Sequence, residues 1–249
     1  MSRLSRRQWI LAGLGATAGG AAAIRAASAN GLIPPNARGL YTIGDTLTYA
    51  SHRLLTRHSM AREFSREQIS THPFPNSKPP DDDIYKRHQA AAFADWRLSI
   101  DGLVARPVSF SLADLRQFTP RSQITQLICE EGWSFIAEWT GASLADVLQT
   151  AQILPQAKYV VYFSHDKYWW DSLDMEDARH PQTLVTYGMN GGLLPPGHGG
   201  PLRLRVPRQL GYKSVKYITR LTATDNIKAF GSGLGSGGPD FGYSWYAGI

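Results

Sequence analysis

Residues 126–134, QLICEEGWS, contain the only cysteine of this 249-residue chain, Cys129. An apolar run that predicts a strand precedes the cysteine, and a polar turn follows it. A thiol at the mouth of a strand lies where functional sites are commonly built. Three roles are open to it. It could be a small buried hydrophobe, a nucleophile paired with one of seven histidines, or a thiolate ligand of a metal or of a metal-containing cofactor.

The residues next to the thiol favour the third role. Carboxylates at Glu130 and Glu131 raise the pKa of a neighbouring thiol, which counts against a free nucleophile. A bound metal deprotonates a thiol whatever its neighbours are. A structural zinc site needs three or four protein ligands, so one cysteine suits a metal that arrives with its own ligands. The cysteine count excludes covalent haem attachment and a four-cysteine iron–sulfur cluster.

The first 29 residues predict an export signal followed by a single domain over 30–249. Arginines near the start precede a weakly apolar run, and ASA at 27–29 is typical of a cleavage site. The sequence SRRQWIL at 5–11 resembles a twin-arginine signal, which predicts export of a folded protein to the periplasm. A generic, uncleaved N-terminal anchor is the alternative interpretation of this segment.

The net charge gives no reason to expect nucleic-acid binding. The whole chain carries +6, but the predicted signal contains four arginines and no acidic residue. The remaining chain therefore carries only +2, too little for a phosphate-binding surface of the kind that nucleic acids require.

Hydrophobic patterning predicts a strand-rich α+β domain with short helices. Residues 30–75 are polar and predict an extended arm. Helices are predicted over 84–93, after an N-cap at Ser111, and over 143–151. Predicted strands occupy a hairpin around Asp101-Gly102 and the segments 123–129, 158–164, 182–191, 201–207 and 215–225.

The stretch CEEGWS at 129–134 resembles the C-V-E-[AG]-W-S motif of the sulfite oxidase-like molybdenum enzymes. The resemblance is strongest to their periplasmic branch, which includes the catalytic subunit of the methionine-sulfoxide reductase system. Residues 96–115 are similar to that family's hairpin-and-helix segment, and 180–216 to its cofactor-phosphate segment. The resemblance covers roughly residues 70–225 and implies a sulfite oxidase-type molybdopterin-binding oxidoreductase domain with mixed sheets.

The cofactor that this resemblance implies is molybdenum-molybdopterin in its mononucleotide-free form, with Cys129 as the protein's one bond to the metal. A terminal phosphate is bound by planar donors, point charges and backbone N–H groups. The residues implied as cofactor contacts are His72, Asn76, Cys129, Ser164, His198, Arg203, Ser214, Val215 and Lys216. Lys213 is expected to add a second ammonium group there. From the residues alone, a basic turn exposed to water is the favoured interpretation of this segment.

The substrate pocket is expected to be acidic and aromatic. Sulfite oxidases proper place arginines close to the cysteine, whereas this chain has glutamates, a glycine and a tryptophan. Such a setting is poor for sulfite and better for a neutral oxide. We therefore expect two-electron oxygen-atom transfer with a sulfoxide or N-oxide as substrate. The candidate catalytic residues are Cys129, Glu131, Trp133 and Tyr168.

The resemblance also implies an external redox partner, either a membrane cytochrome b or a soluble cytochrome c, and a monomeric chain. Three other functions stay open at this point. They are sulfite oxidase-type oxidation of a small anion, non-catalytic binding in the periplasm with Cys129 in the core, and cysteine–histidine hydrolysis.

Overall fold

The computed structural model describes residues 20, 22–34, 42–167, 169–238 and 242–249. The chain divides into two compact units, Met1–Arg57 and His58–Ile249. In the first unit, helix α1 spans Thr42–Leu55. The prediction of an extended arm over residues 30–75 is therefore wrong for Thr42–Leu55. Its acidic residue in the first turn and basic residues in the last turn suit the helix dipole. The predicted twin-arginine motif at 5–11 lies outside the described residues.

The second unit contains two sheets of five strands each among the residues that the structure describes. The first sheet has the order β2-β1-β10-β5-β6, and only its β1–β10 pair is parallel. Its strands are β1 (Arg97–Gly102), β2 (Val108–Ser111), β5 (Tyr159–Ser164), β6 (Trp170–Asp174) and β10 (Ile218–Thr224).

The second sheet has the order β3-β4-β7-β8, and β9 pairs with β7. Its strands are β3 (Arg121–Ile128), β4 (Ser134–Ser143), β7 (Leu184–Met189), β8 (Gly192–Leu193) and β9 (Arg203–Arg205). Strands β3 and β4 form a hairpin whose last pair joins Ile128 to Ser134. The residues between them, 129–133, therefore form the connecting turn, which includes Cys129.

The helices of the second unit are short, as the sequence predicts. They are α2 (Asp83–Ala90), α3 (Leu112–Leu115), α4 (Leu144–Thr150) and α5 (Met175–Ala178), with 3₁₀ turns at Arg66–Gln68, Pro196–His198, Gly211–Lys213 and Ile227–Ala229. The predicted cap of α3 is confirmed, because the Ser111 hydroxyl accepts from Asp114 N and the Asp114 carboxylate accepts from Ser111 N. None of the described helices is long and apolar enough to cross a membrane.

The main hydrophobic core joins the two sheets. Leu98 and Tyr162 from the first sheet share a cluster with Val185 and Leu204 from the second, and all four are almost fully buried. A smaller cluster around Phe135 and Trp139 lies beneath the β3–β4 hairpin. This second cluster supports the turn that contains Cys129.

A buried ion pair fixes the C-terminal tail. The Lys213 ammonium group, which has no exposed surface, pairs with the Asp171 carboxylate. It also donates to Ser172 O at 2.7 Å and to Trp245 O at 2.8 Å. The expectation that Lys213 contacts the cofactor phosphate is therefore wrong. The 3₁₀ turn directs this side chain into the core instead.

We predict that Lys213→Met lowers the free energy of unfolding by about 3–5 kcal/mol, because it leaves the Asp171 charge buried without a partner. The measurement is urea unfolding of the purified protein. The double variant Asp171→Leu/Lys213→Met should recover much of that loss. The matched control is Lys86→Met, which removes an exposed ion pair with Asp81 and should leave the free energy of unfolding nearly unchanged. Equal losses in Lys213→Met and Lys86→Met would refute the prediction.

Candidate active site

A cavity of about 360 Å³ lies where the Cys129 turn meets residues 74–77 and segments 196–203 and 211–217. Most of the residues that the sequence singled out line this cavity. They are Asn76, Cys129, Glu131, Trp133, Ser164, His198, Arg203, Ser214, Val215 and Lys216. His72 is not part of the lining, and its Nδ1 lies 3.0 Å from Thr71 Oγ1 instead. Tyr168 lies outside the described residues.

The Cys129 turn is held by backbone hydrogen bonds. Cys129 N donates to Trp133 O at 2.9 Å, and Gly132 N donates to Cys129 O at 3.2 Å. Gly132 has a φ of 89°, a conformation that glycine adopts without strain. Cys129 is only 6% exposed, yet it lines the cavity. The turn therefore shields the thiol from bulk water while presenting it to the cavity.

The partners of the thiol are carboxylates rather than a histidine. Cys129 Sγ lies 3.3 Å from Glu130 Oε2 and 3.8 Å from Glu131 Oε2. Burial raises the pKa of Cys129 to about 12. A backbone hydrogen bond from Glu131 opposes this increase, whereas the hydrogen bond to the Glu130 side chain and its charge add to it. The thiol of the metal-free chain is therefore protonated at neutral pH, which does not suit a cysteine hydrolase. Trp133 Nε1 donates to Glu131 Oε2 at 2.7 Å and orients that carboxylate.

Cationic groups form the opposite end of the cavity. Arg203 Nη1 donates to His198 O at 2.7 Å, and Arg203 Nη2 donates to Ser214 O at 2.6 Å. Its Nε is buried and has no hydrogen-bond partner among the described residues. Gly199 is required beside this arginine, because a Cβ there would lie 2.9 Å from Lys216 Cγ.

Lys216 connects residues 74–77 to this cationic end. Its ammonium group donates to Gly197 O at 2.7 Å and to the carbonyl oxygens of Pro75 and Asn76. Burial lowers the pKa of Lys216 to about 7, and Arg203 contributes to the decrease. Burial, Arg203 and Lys216 together lower the pKa of His198 to about 4. His198 therefore contacts a ligand as a neutral imidazole at neutral pH.

Aromatic side chains that sequence reasoning did not assign complete the walls. The Trp133 ring stacks on Phe135 with the centroids 6.0 Å apart, and Phe74 lies 5.0 Å from Trp133. On the other side, Tyr243 stacks on Tyr212 at 5.1 Å. In the sequence, Tyr243 belongs to the aromatic tail YSWYAGI at 243–249, which is expected either to close over the core or to contact a partner. The structure shows that this tail brings Tyr243 to the cavity.

The donor set fits a molybdopterin cofactor. No group of three or more His, Cys, Asp or Glu residues in the described part of the chain could hold a bare metal ion. Cys129 alone suits a metal complex that carries its own sulfur ligands. The unpartnered Nε of Arg203, together with Lys216 and Ser214, suits the phosphate of the same molecule.

Comparison with known proteins identifies the family. The pattern of the oxidoreductase molybdopterin binding domain matches residues 85–229. This chain belongs to that family. The match includes the Cys129 turn and the cationic segment, and it confirms the molybdopterin-binding oxidoreductase domain that the sequence motif implied.

Two curated relatives carry methionine-sulfoxide reductase names. One, from Azospira oryzae, is provisionally named protein-methionine-sulfoxide reductase subunit YedZ1, and is 37% identical over 73% of this chain and 66% of its own length. The other, from Ralstonia nicotianae, is the protein-methionine-sulfoxide reductase catalytic subunit MsrP, with 33% identity over 52% of this chain and 44% of its own length. The matched region thus spans about half to two thirds of these relatives.

The fold also matches a solved structure. The sulfane dehydrogenase SoxCD from Paracoccus pantotrophus superposes with a TM-score of 0.53, at 23% identity, over 68% of this chain and 46% of that chain. This likeness confirms the sulfite oxidase-type fold with its mixed sheets and short helices. It carries no inference about the substrate.

We predict that the metal-free protein binds sulfate more weakly as the pH rises through about 7, because Lys216 then loses its proton. Sulfate keeps its own charge over this range. Calorimetric titration should show affinity about tenfold lower near pH 9 than near pH 6. Lys216→Gln should be weak at both pH values, and the exposed control Lys228→Gln should behave like the wild type. Equal sulfate affinity of the wild type at both pH values would contradict this assignment.

Proposed function

We propose that this protein is a molybdenum-cofactor oxidoreductase that reduces a sulfoxide or N-oxide by two-electron oxygen-atom transfer. The observation that carries the proposal is the polarity of the cavity. Its Cys129 end is acidic and aromatic, whereas its Arg203 and Lys216 end is cationic. The cofactor would be bound with its metal at the thiol and its phosphate at the cations.

A neutral sulfoxide suits the Cys129 end better than sulfite does. Glu130 and Glu131 lie beside the thiol and repel a small anion. The aromatic rings of Trp133 and Phe74 offer apolar surface for the substituents of a neutral oxide. The relatives named as protein-methionine-sulfoxide reductases also support a sulfoxide substrate. Methionine sulfoxide within a polypeptide is therefore the proposed substrate.

When bound, the molybdenum cofactor supplies the two-electron oxygen-atom transfer. The overall reaction converts one sulfoxide, two electrons and two protons into one sulfide and one water. Cys129 holds the metal end of the cofactor through its thiolate. Glu131 Oε2, oriented by the indole N–H of Trp133, lies at the same end and can hold one of the two protons.

The proposed form of the cofactor is the mononucleotide-free one. Arg203 and Lys216 converge on one end of the cavity, which suits a single terminal phosphate. Lys216 binds the backbone of residues 75–76 and so keeps that segment against the cationic end. Asn76 and Ser164 line the same cavity and are proposed as further contacts.

The proposed cellular context is the periplasm, reached through the twin-arginine pathway and supported by the motif at 5–11. A membrane cytochrome b or a soluble cytochrome c would deliver the electrons to a monomeric enzyme. The export pathway suits such a cofactor, because it transports proteins that have already folded around one.

We predict near-stoichiometric molybdenum in protein expressed with its own N-terminal segment, and loss of the metal or an altered metal spectrum in Cys129→Ser. The reason is that Cys129 is the ligand from the chain. The measurement is metal content by mass spectrometry beside electron paramagnetic resonance. Ser122→Ala, at an exposed position of the same strand, is the control and should keep the metal. Absence of molybdenum from wild type made in a host that synthesises the cofactor would refute the proposed function.

We predict that Glu131→Gln lowers kcat for methionine sulfoxide about a hundredfold with little change in KM, because it removes a proton-holding group from the metal end. Steady-state kinetics with a chemically reduced viologen as electron donor measures this. Molybdenum content must equal that of the wild type, so that cofactor loss is not mistaken for slow turnover. Glu67→Gln, at an exposed position, is the matched control. An unchanged kcat in Glu131→Gln would show that Glu131 does not hold a proton in the reaction.

A further inference from the structure

A second cavity of about 540 Å³ lies on the outer face of the first sheet. We call it the outer-face groove. Its lining outside the first cavity is Ser99, Phe163, Lys167, Trp170, Thr219 and Arg220. The established family and the proposed reaction assign it no role.

Strand register builds the floor of the outer-face groove. Ser99 on β1 pairs with Arg220 on β10, Arg220 pairs with Phe163 on β5, and Phe163 pairs with Trp170 on β6. Four adjacent strands thus contribute one residue each to a single row. Residues paired in this way project from the same face of a sheet. The floor of the groove is therefore fixed by the sheet, and the β5–β6 connection adds Lys167 and Trp169 to its lining.

This row places one cation, Arg220, beside two adjacent aromatic rings, Phe163 and Trp170. The Phe163 and Trp170 rings stack with centroids 6.2 Å apart, and the Arg220 guanidinium lies 4.0 Å from the centroid of the Phe163 ring. Arg220 and Lys167 are both exposed, and no acidic residue is part of the groove lining. Two cations over an aromatic floor attract a carboxylate that is attached to an apolar stem.

The groove and the proposed active site are adjacent. Ser164 and Trp169 line both cavities, so these two residues form a wall that the cavities share. The indole N–H of Trp169 donates to Tyr212 O at 3.2 Å, which anchors this shared wall. An extended peptide advances about 3.3–3.6 Å per residue. A chain with its sulfoxide in the first cavity can therefore place a residue a few positions away in the groove.

From this geometry we infer that the outer-face groove is a subsite for an acidic side chain, Glu or Asp, near the methionine sulfoxide of a polypeptide substrate. The inference rests on the proposed sulfoxide reduction and adds a sequence preference to it. Arg220 and Lys167 would pair with the carboxylate, and the Phe163 ring would contact its methylene groups. These residues determine specificity and take no part in the chemistry.

The test compares short methionine-sulfoxide peptides that differ only in having Glu or Gln two positions before or after the oxidised residue. At low salt, the holoenzyme should show a KM about fivefold lower for the better-placed Glu peptide than for its Gln counterpart, with equal kcat. Arg220→Gln and Lys167→Gln should each reduce this ratio, and the double variant should abolish it. Arg97→Gln, an exposed cation on β1 outside the groove lining, should keep it.

Two results would overturn the inference. One is an equal KM for the Glu and Gln peptides at both positions, and the other is a difference that persists in the double variant. Free methionine sulfoxide serves as the internal control, because it is too short to reach the groove. If neither it nor any peptide is reduced, the proposed function fails. In that case, calorimetry measures the binding of the unoxidised Glu and Gln peptides and tests the subsite without turnover. Tighter binding of the Glu peptide supports the subsite, and equal binding of the two peptides refutes it.

Discussion

The site depends on two buried guanidinium groups that β9 places against one indole ring. Arg203 and Arg205 lie 5.2 and 5.3 Å from the centroid of the Trp139 ring. Arg203 binds the carbonyls of the His198 and Ser214 turns, whereas Arg205 binds Gln126 O at 2.6 Å on the strand that leads to Cys129. One three-residue strand therefore sets the spacing between the thiol and the cationic end. Removing Arg203 would leave two buried carbonyls without this donor, and removing Arg205 would leave one carbonyl and two hydroxyls without it, which is costly.

The polarity of the cavity gives the bound cofactor one favourable orientation. An anionic phosphate is stabilised by Arg203 and Lys216 and repelled by Glu130, so the reverse orientation is electrostatically unfavourable at both ends. His198 adds a neutral imidazole rather than a third charge, because burial and its cationic neighbours lower its pKa to about 4. Arg203 and Lys216 therefore supply the positive charge that binds a phosphate. Because His198 is neutral, the metal-free chain does not bury a third positive charge beside them.

The sequence predicted the parts of the site that are local in the chain. A strand that ends at Cys129 and a Gly-rich basic segment are patterns of a few residues, and the structure places both at the cavity. The side-chain direction of Lys213 could not be predicted, because a short 3₁₀ turn reverses it toward Asp171, 42 residues away. Tyr243 reaches the cavity only through tertiary packing. Its position in the sequence carries no trace of that proximity, whereas the aromatic loop that contains Trp169 follows a predicted strand and could be assigned to the pocket.

The two sheets supply different parts of the cavity. The second sheet supplies Cys129 and Arg203, whereas the first supplies Ser164 and the loop that contains Trp169. The main core joins the two sheets with fully buried side chains, so their relative position is rigid. Changes on the outer face of the first sheet can therefore alter which oxide reaches the metal end without disturbing the cation spacing that holds the cofactor.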